Sequence, residues 1–171
     1  MTELRTDRLI LRRARPDDLK GMHVVLSDEQ AMRYWSNGPH AELAETQRWL
    51  QSMTESPYEL SDDFIVTLDG EPIGKMGAWR LPEFGFILRY DLWGRGYANE
   101  ALLAFLDYMF RTRQIPCLTA DTDPRNAGAL RLLAKHGFVE TGRASGTWTT
   151  HIGVCDSVYL KLDREDWLSA N

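Results

Sequence analysis

The chain has 171 residues, about one domain at roughly 150 residues per domain, with 43% hydrophobic and 26% charged residues, 13 Gly and 7 Pro. That composition excludes collagen-like, low-complexity and disordered classes. A net charge of −5 and a pI near 5.4 supply no global positive field, so nucleic acid and anionic membrane surfaces are not expected partners.

Leu9-Ile10-Leu11 reads as a short strand, and Pro16-Asp17-Asp18 as a helix start with acidic residues at its positive end. Between Asp28 and Met53 the apolar residues recur at helical spacings and are interrupted by Asn37-Gly38-Pro39. Two helices joined by a turn are predicted there. Phe64 to Leu68 and Ile73 to Trp79 flank Asp69-Gly70, a hairpin signal, with Pro72 weakening the pairing near the turn. Glu83 to Leu88 adds a third strand and completes an antiparallel meander.

From Gly94 to Arg111, Ala98, Leu102, Phe105 and Met109 make one face of an amphipathic helix. Cys117 to Ala120 is strand-like, and a second helix runs from the Asp123-Pro124-Arg125-Asn126 start to Gly137. Phe138 to Thr141 and Ile152 to Leu162 close the chain as strands, the latter with Val154, Val158, Leu160 and Leu162 on one alternating face. The pattern is α+β: a mixed, mainly antiparallel sheet flanked by helices, in a single domain spanning residues 1–171.

No run approaches the roughly 18 apolar residues of a membrane span. Met1 to Arg13 mixes charged and apolar residues where a secretory leader needs an unbroken apolar segment, so a cytoplasmic protein is expected. Cys117 and Cys155 form no CxxC pair, and the four histidines are scattered without an HxxxH or HxH spacing, so no metal site is expected.

The segment Trp93-Gly94-Arg95-Gly96-Tyr97-Ala98 places a glycine-rich turn between a strand and a helix N-terminus. Such a turn is an anion site: glycines permit a tight turn, the first-turn N–H groups are unpaired, and the helix dipole adds about half a positive charge. A pyrophosphate is the natural guest, with Arg95 as a charged donor. The chain lacks the third glycine of a dinucleotide fingerprint and has no GKS or GKT.

These residues resemble the acetyl-CoA-binding motif of the GNAT superfamily of N-acetyltransferases, in its ribosomal-protein N-terminal acetyltransferase-like (Rim-type) branch. Thr6 to Arg12 resembles that branch's opening strand, Glu83 to Leu88 its central strand, and Asn126 through Gly137-Phe138 its second motif. The resemblance implies a GNAT-like acyl-CoA N-acyltransferase fold in which the fourth and fifth strands splay apart around the pantetheine arm of acetyl-CoA. It further implies that Ile87, Leu88 and Arg89 offer main-chain groups to that arm. Gly94, Arg95, Gly96, Tyr97 and Ala98 would cradle the pyrophosphate, Asn126 would reach the pantetheine or thioester, and Lys135 the 3′-phosphate. A homodimer is compatible with the family.

The implied reaction is direct attack of a primary amine on the acetyl thioester through a tetrahedral intermediate, with a main-chain N–H near Leu88 stabilising the oxyanion. The amine must lose a proton. Glu83, at the head of the strand bordering the acceptor site, is the first candidate base, with Asp121 and His151 as competitors. Many relatives carry a Tyr or Ser that protonates the leaving thiolate; the aligned positions here are Leu133 and Ala129, which donate no proton. Tyr159 is the replacement hydroxyl considered, and water the other. Tyr34, Trp35, Trp79 and Trp148 are candidate walls for the acceptor. The acidic balance suits a peptide or protein N-terminus, a polyamine or an aminoglycoside-like amine. The competing reading is an acyl-CoA-binding module of the same fold with little or no catalysis.

Overall fold

A computed structural model describes all residues except Met1 and Tyr58; the first residue of the expected domain thus lies outside the described residues. The elements are β1 (Glu3–Arg5), β2 (Leu9–Arg12), α1 (Leu19–Leu26), α2 (Leu43–Glu55), β3 (Asp62–Leu68), β4 (Glu71–Arg80), β5 (Glu83–Leu88), α3 (Tyr97–Asp107), β6 (Cys117–Thr122), α4 (Ala127–Lys135), β7 (Val139–Thr150), β8 (Gly153–Asp163) and α5 (Arg164–Ala170). One eight-stranded sheet has the order β1-β2-β3-β4-β5-β6-β8-β7. All neighbours are antiparallel except β5 and β6.

The β3-β4-β5 meander follows from its hydrophobic strands and the Asp69-Gly70 turn, where both residues have positive φ, 52° and 85°. The β5–β6 pair is the exception that shapes the molecule. It is parallel and holds only at Glu83↔Thr119, so the strands diverge beyond that point. This is the expected splay, counted one strand later because β1 precedes it.

Each face of the sheet is covered separately. Phe64, Phe84, Phe105 and Phe110 pack among α3 and neighbouring strands in one core. Met22, Leu26, Met32, Leu50, Ile65 and Ile87 form the other beneath α1 and α2. Full burial of each such side chain contributes about 1.5–3 kcal/mol, which fixes the sheet between the helices.

Three sequence expectations change. Residues 29–37 form turns and bends instead of a helix, held by isolated bonds such as Met32 N–H to Asp28 O (3.0 Å) and Trp35 N–H to Met32 O (3.1 Å). Only Leu43–Glu55 of that stretch is helical, begun by a box in which Glu45 accepts from the Glu42 backbone. Secondly, β7 runs to Thr150, well past Thr141. It is an exposed edge strand with two register shifts, so its Gly, Ser and Thr residues carry no apolar alternation. Thirdly, Val154 is 67% exposed while Val158, Leu160 and Leu162 are buried. Strand β6 ends its pairing with β8 at Val158, so Val154 lies beyond the covered part of the sheet. Strand β1 and α5 add to the predicted elements; α5 seats Trp167 in the core. Among the described residues, no helix is long and apolar enough to cross a membrane.

Candidate active site

The glycine turn is built as an anion cradle. Gly94 and Gly96 adopt positive φ, 74° and 84°, a region only glycine enters freely. Gly96 is the N-cap of α3 and offers no side chain to the first-turn N–H groups, which stay available. A Cβ at Gly94 would meet nothing within 4 Å. Behind the turn lies a brace not foreseen from sequence. Arg8 donates from Nη1 to the Arg95 carbonyl (3.1 Å) and from Nε to Glu100 (2.7 Å), while its guanidinium lies 4.3 Å over the Tyr97 ring. Burial raises the Glu100 carboxyl pKa, but the bonds from the Thr6 hydroxyl and from the Arg8 backbone and guanidinium outweigh it and hold it below its ordinary value. The Arg95 side chain itself is exposed and does not line the cavity.

Along β5 the pleat decides which main-chain groups face the splay. Arg89 N–H donates to Ile73 O of β4 (2.8 Å), and Lys75 is the register partner of Ile87. By the alternation of an antiparallel ladder, Ile87 and Arg89 turn their main chain toward β4, and Phe86 and Leu88 turn theirs toward the gap. Leu88 O is taken by Trp93 Nε1–H (2.9 Å), so Leu88 N–H and both groups of Phe86 remain for a guest. Of the three residues expected to offer main-chain groups, Leu88 turns its own toward the gap, as Phe86 does, while Ile87 and Arg89 turn theirs to β4. Through its bond to Leu88 O, Trp93 fastens the loop to the strand.

A cavity of about 940 Å³ opens at the splay and reaches α2. Its walls bring together Tyr34, Trp35, Trp79 and Trp148, together with Glu83, Asp121 and Asn126. Glu83 and Asp121 stand on the two diverging strands, and Asp121 accepts from Trp148 Nε1 (3.0 Å), which orients the ring. Asn126 caps α4 by accepting from Ala129 N–H (3.2 Å), leaving its amide nitrogen for a ligand. The floor is open because Gly85 has no side chain; a Cβ there would meet nothing within 4 Å.

Besides Arg89 and Arg95, three expected residues are not brought to this cavity. His151 sits in the exposed β7–β8 turn against Gly38. Tyr159 is 37% exposed on β8 and does not line the cavity. Lys135 lies outside it and donates to Asn99 Oδ1 (2.8 Å), which also contacts His136 Nε2 (3.0 Å). Leu133 and Ala129, at the usual acid positions, do line it.

The cavity also contains groups that sequence reasoning passed over. Lys75 and Asp63 form a buried ion pair at 2.8 Å, with side chains 5% and 6% exposed, and the Lys75 ammonium lies 5.8 Å from the Trp35 ring. A lysine within the apolar run Ile73 to Ala78 was the available signal. His40 lines the wall too, and nothing local in the sequence marks it. Asp123 carries a bidentate Arg125, whose bonds hold its carboxyl well below the ordinary range. Among the described residues no cation pairs with Glu83 or Asp121, so the cavity presents net negative charge. Among the described residues no cluster of His, Cys, Asp and Glu has the makings of a metal site.

Comparison with known proteins places these features in context. A family model described as acetyltransferase (GNAT) domain matches residues 8–139. An uncharacterized N-acetyltransferase, p20 of Bacillus licheniformis, is 26% identical over 151 residues, covering 83% of this chain and 85% of that protein. Spermidine N(1)-acetyltransferase of Escherichia coli K12 is 27% identical over 138 residues, covering 77% of this chain and 73% of that protein. The crystal structure of Vibrio cholerae spermidine N-acetyltransferase with CoA and spermine superposes with a TM-score of 0.82 at 20% identity, over 95% of this chain and 99% of that one.

Proposed function

The chain belongs to the GNAT acetyltransferase family and is an acetyl-CoA-dependent N-acetyltransferase; from that premise we propose that residues 1–171 act as one domain that acetylates a cationic primary amine. The observation that carries this reading is the cavity that joins a backbone anion cradle to an aromatic, net acidic chamber at the strand splay.

The residues fit acetyl-CoA. Uncapped N–H groups at Tyr97 and Ala98, and the space over Gly94, suit a pyrophosphate. The gap-facing main chain of Phe86, with the Asn126 amide, suits the pantetheine amides. When bound, acetyl-CoA supplies the activated acyl group. Leu88 N–H is the donor assigned to the oxyanion, held by the β4–β5 ladder so that little reorganisation is needed. Glu83 and Asp121 attract the ammonium and orient it, while the rings of Trp35, Trp79 and Trp148 enclose its carrier. With Leu133 and Ala129 at the acid positions, the leaving thiolate draws its proton from the amine or from water.

The Rim-type assignment rests on the Thr6–Arg12, Glu83–Leu88, Trp93–Ala101 and Asn126–Phe138 motifs and would favour a peptide N-terminus; the acidic chamber serves a polyamine equally. Release of CoA thiol should be measured with a lysine-rich peptide bearing a free N-terminus, spermidine and an aminoglycoside, with product masses read in parallel. An acetylated product from at least one amine is expected. Binding of acetyl-CoA without turnover of any amine would contradict this reading and favour a silent acyl-CoA binder.

A further inference from the structure

Acylation of an ammonium strips two protons from its nitrogen. One can end on the CoA thiolate, and the other must leave the chamber. Glu83 and Asp121 are suited to hold a cation, but holding it does not carry its proton out of the chamber.

The structure contains a path out. His40 lines the cavity, and its Nδ1 lies 2.9 Å from Thr46 Oγ1. The same hydroxyl lies 2.8 Å from His23 Nδ1. Thr46 is fully buried, whereas His23, on α1, is partly exposed. A bond from the His40 backbone N–H to Leu26 O (2.7 Å) pins the loop that carries it. One sealed hydroxyl therefore joins an imidazole on the chamber wall to an imidazole that meets solvent.

We propose that His40, Thr46 and His23 form a proton exit: His40 takes the acceptor's proton and Thr46 relays it to His23. This rests on the amine-acetylation reading above. In the starting arrangement His40 Nδ1–H donates to Thr46 Oγ1, and the Thr46 hydroxyl donates to His23 Nδ1. As the amine loses its proton to His40 Nε2, the Nδ1 proton of His40 passes to Thr46 and the Thr46 proton passes to His23 Nδ1. His23 then releases its Nε2 proton to water. Every group ends uncharged, one proton has left, and hydroxyl rotation with tautomer exchange through water restores the start. Burial, with the nearby charges of His23 on α1 and Arg48 on α2, lowers the His40 pKa against the opposing pull of Glu45 on α2. The ring is thus neutral and able to accept at pH 7.

The test compares Thr46→Val, Thr46→Ser and His23→Gln with the wild type, using the fastest amine among spermidine, the lysine-rich peptide and the aminoglycoside. CoA-thiol release is followed from pH 6 to pH 10 and acetyl-CoA binding is checked by thermal shift. Thr46→Val should lower kcat at pH 7 by about tenfold or more, within the range lost with acid–base assistance. The deficit should close as pH approaches the amine's own pKa, since the free amine needs no exit. Thr46→Ser should restore the rate, and His23→Gln should copy the pH-dependent loss. Wild-type kcat in Thr46→Val at pH 7, or an equal loss at every pH, would overturn the relay alone. A wild-type enzyme that acetylates none of the amines would overturn it together with the reading it rests on.

Discussion

The two halves of the cavity are made in different ways. The proposed cofactor half is continuous in sequence, from β5 through the glycine turn into α3, and the groups it offers are main-chain N–H and C=O set by pleat, positive φ and helix end. The acceptor half is assembled from side chains of β3, β4, the head of β5, β6, β7, α2 and the turns before it. Backbone sites tolerate side-chain drift, because every residue carries the main-chain groups they use. Side-chain sites do not, and they are where an acceptor preference is written.

This contrast can be broken by substitutions that act on one half only. The largest effect is expected from Lys75→Met, which strands the Asp63 carboxylate in the acceptor floor. Loss of one partner of a buried pair costs about 3–5 kcal/mol, read by denaturant unfolding, and the double variant Lys75→Met with Asp63→Leu should recover most of it. That double variant should still be stabilised by acetyl-CoA while losing affinity for the acceptor. In the cofactor half, Gly96→Val forces a branched residue into the left-handed region at a strain of about 1–3 kcal/mol, and calorimetry should find acetyl-CoA affinity reduced by roughly tenfold or more.

Glu100→Gln tests the brace behind the turn. It should lower stability by about 1–2 kcal/mol through weakened charged hydrogen bonds. Because the folded Glu100 pKa lies below its ordinary value, its contribution is complete above the ordinary carboxylate range and is lost as pH falls through the lowered value. The acid limb of wild-type stability should accordingly be flatter in Glu100→Gln. The smallest effects belong to Glu83→Gln and Asp121→Asn. Each should raise the acceptor KM about fivefold, the equivalent of about 1 kcal/mol for a solvent-accessible charge pair, and leave acetyl-CoA binding unchanged.

How far the sequence is legible follows the same division. The meander, the helix after the glycines and the second motif were readable because local rules govern them: period-two and period-3.6 patterns, Asp-Gly, and Gly at helix ends. The residues 29–37 failed because apolar residues at helical spacing also occur where a chain folds over a core without a ladder; Ala31 and Met32 are buried there by turns alone. Arg89 and Ile87 were expected at the splay because strand membership is legible but the side to which each peptide group points depends on register with β4. His40, Asp63 and Lys75 depend on contacts between distant elements, and single-sequence reasoning reached only those aromatic and acidic residues that composition made conspicuous. His151 and Tyr159 illustrate the converse: suitable chemistry in the sequence, placed by β7 and β8 away from the chamber.

The most direct measurement is thermal unfolding of the wild type and Gly96→Val with and without saturating acetyl-CoA. At about 100 times the Kd a ligand specific for the folded state adds about 2.7 kcal/mol, so the wild-type midpoint should rise by several degrees, and at the same concentration Gly96→Val should rise far less. An unshifted wild type, or an equal shift in both proteins, would contradict a cofactor site built on the backbone of Gly94 to Ala98.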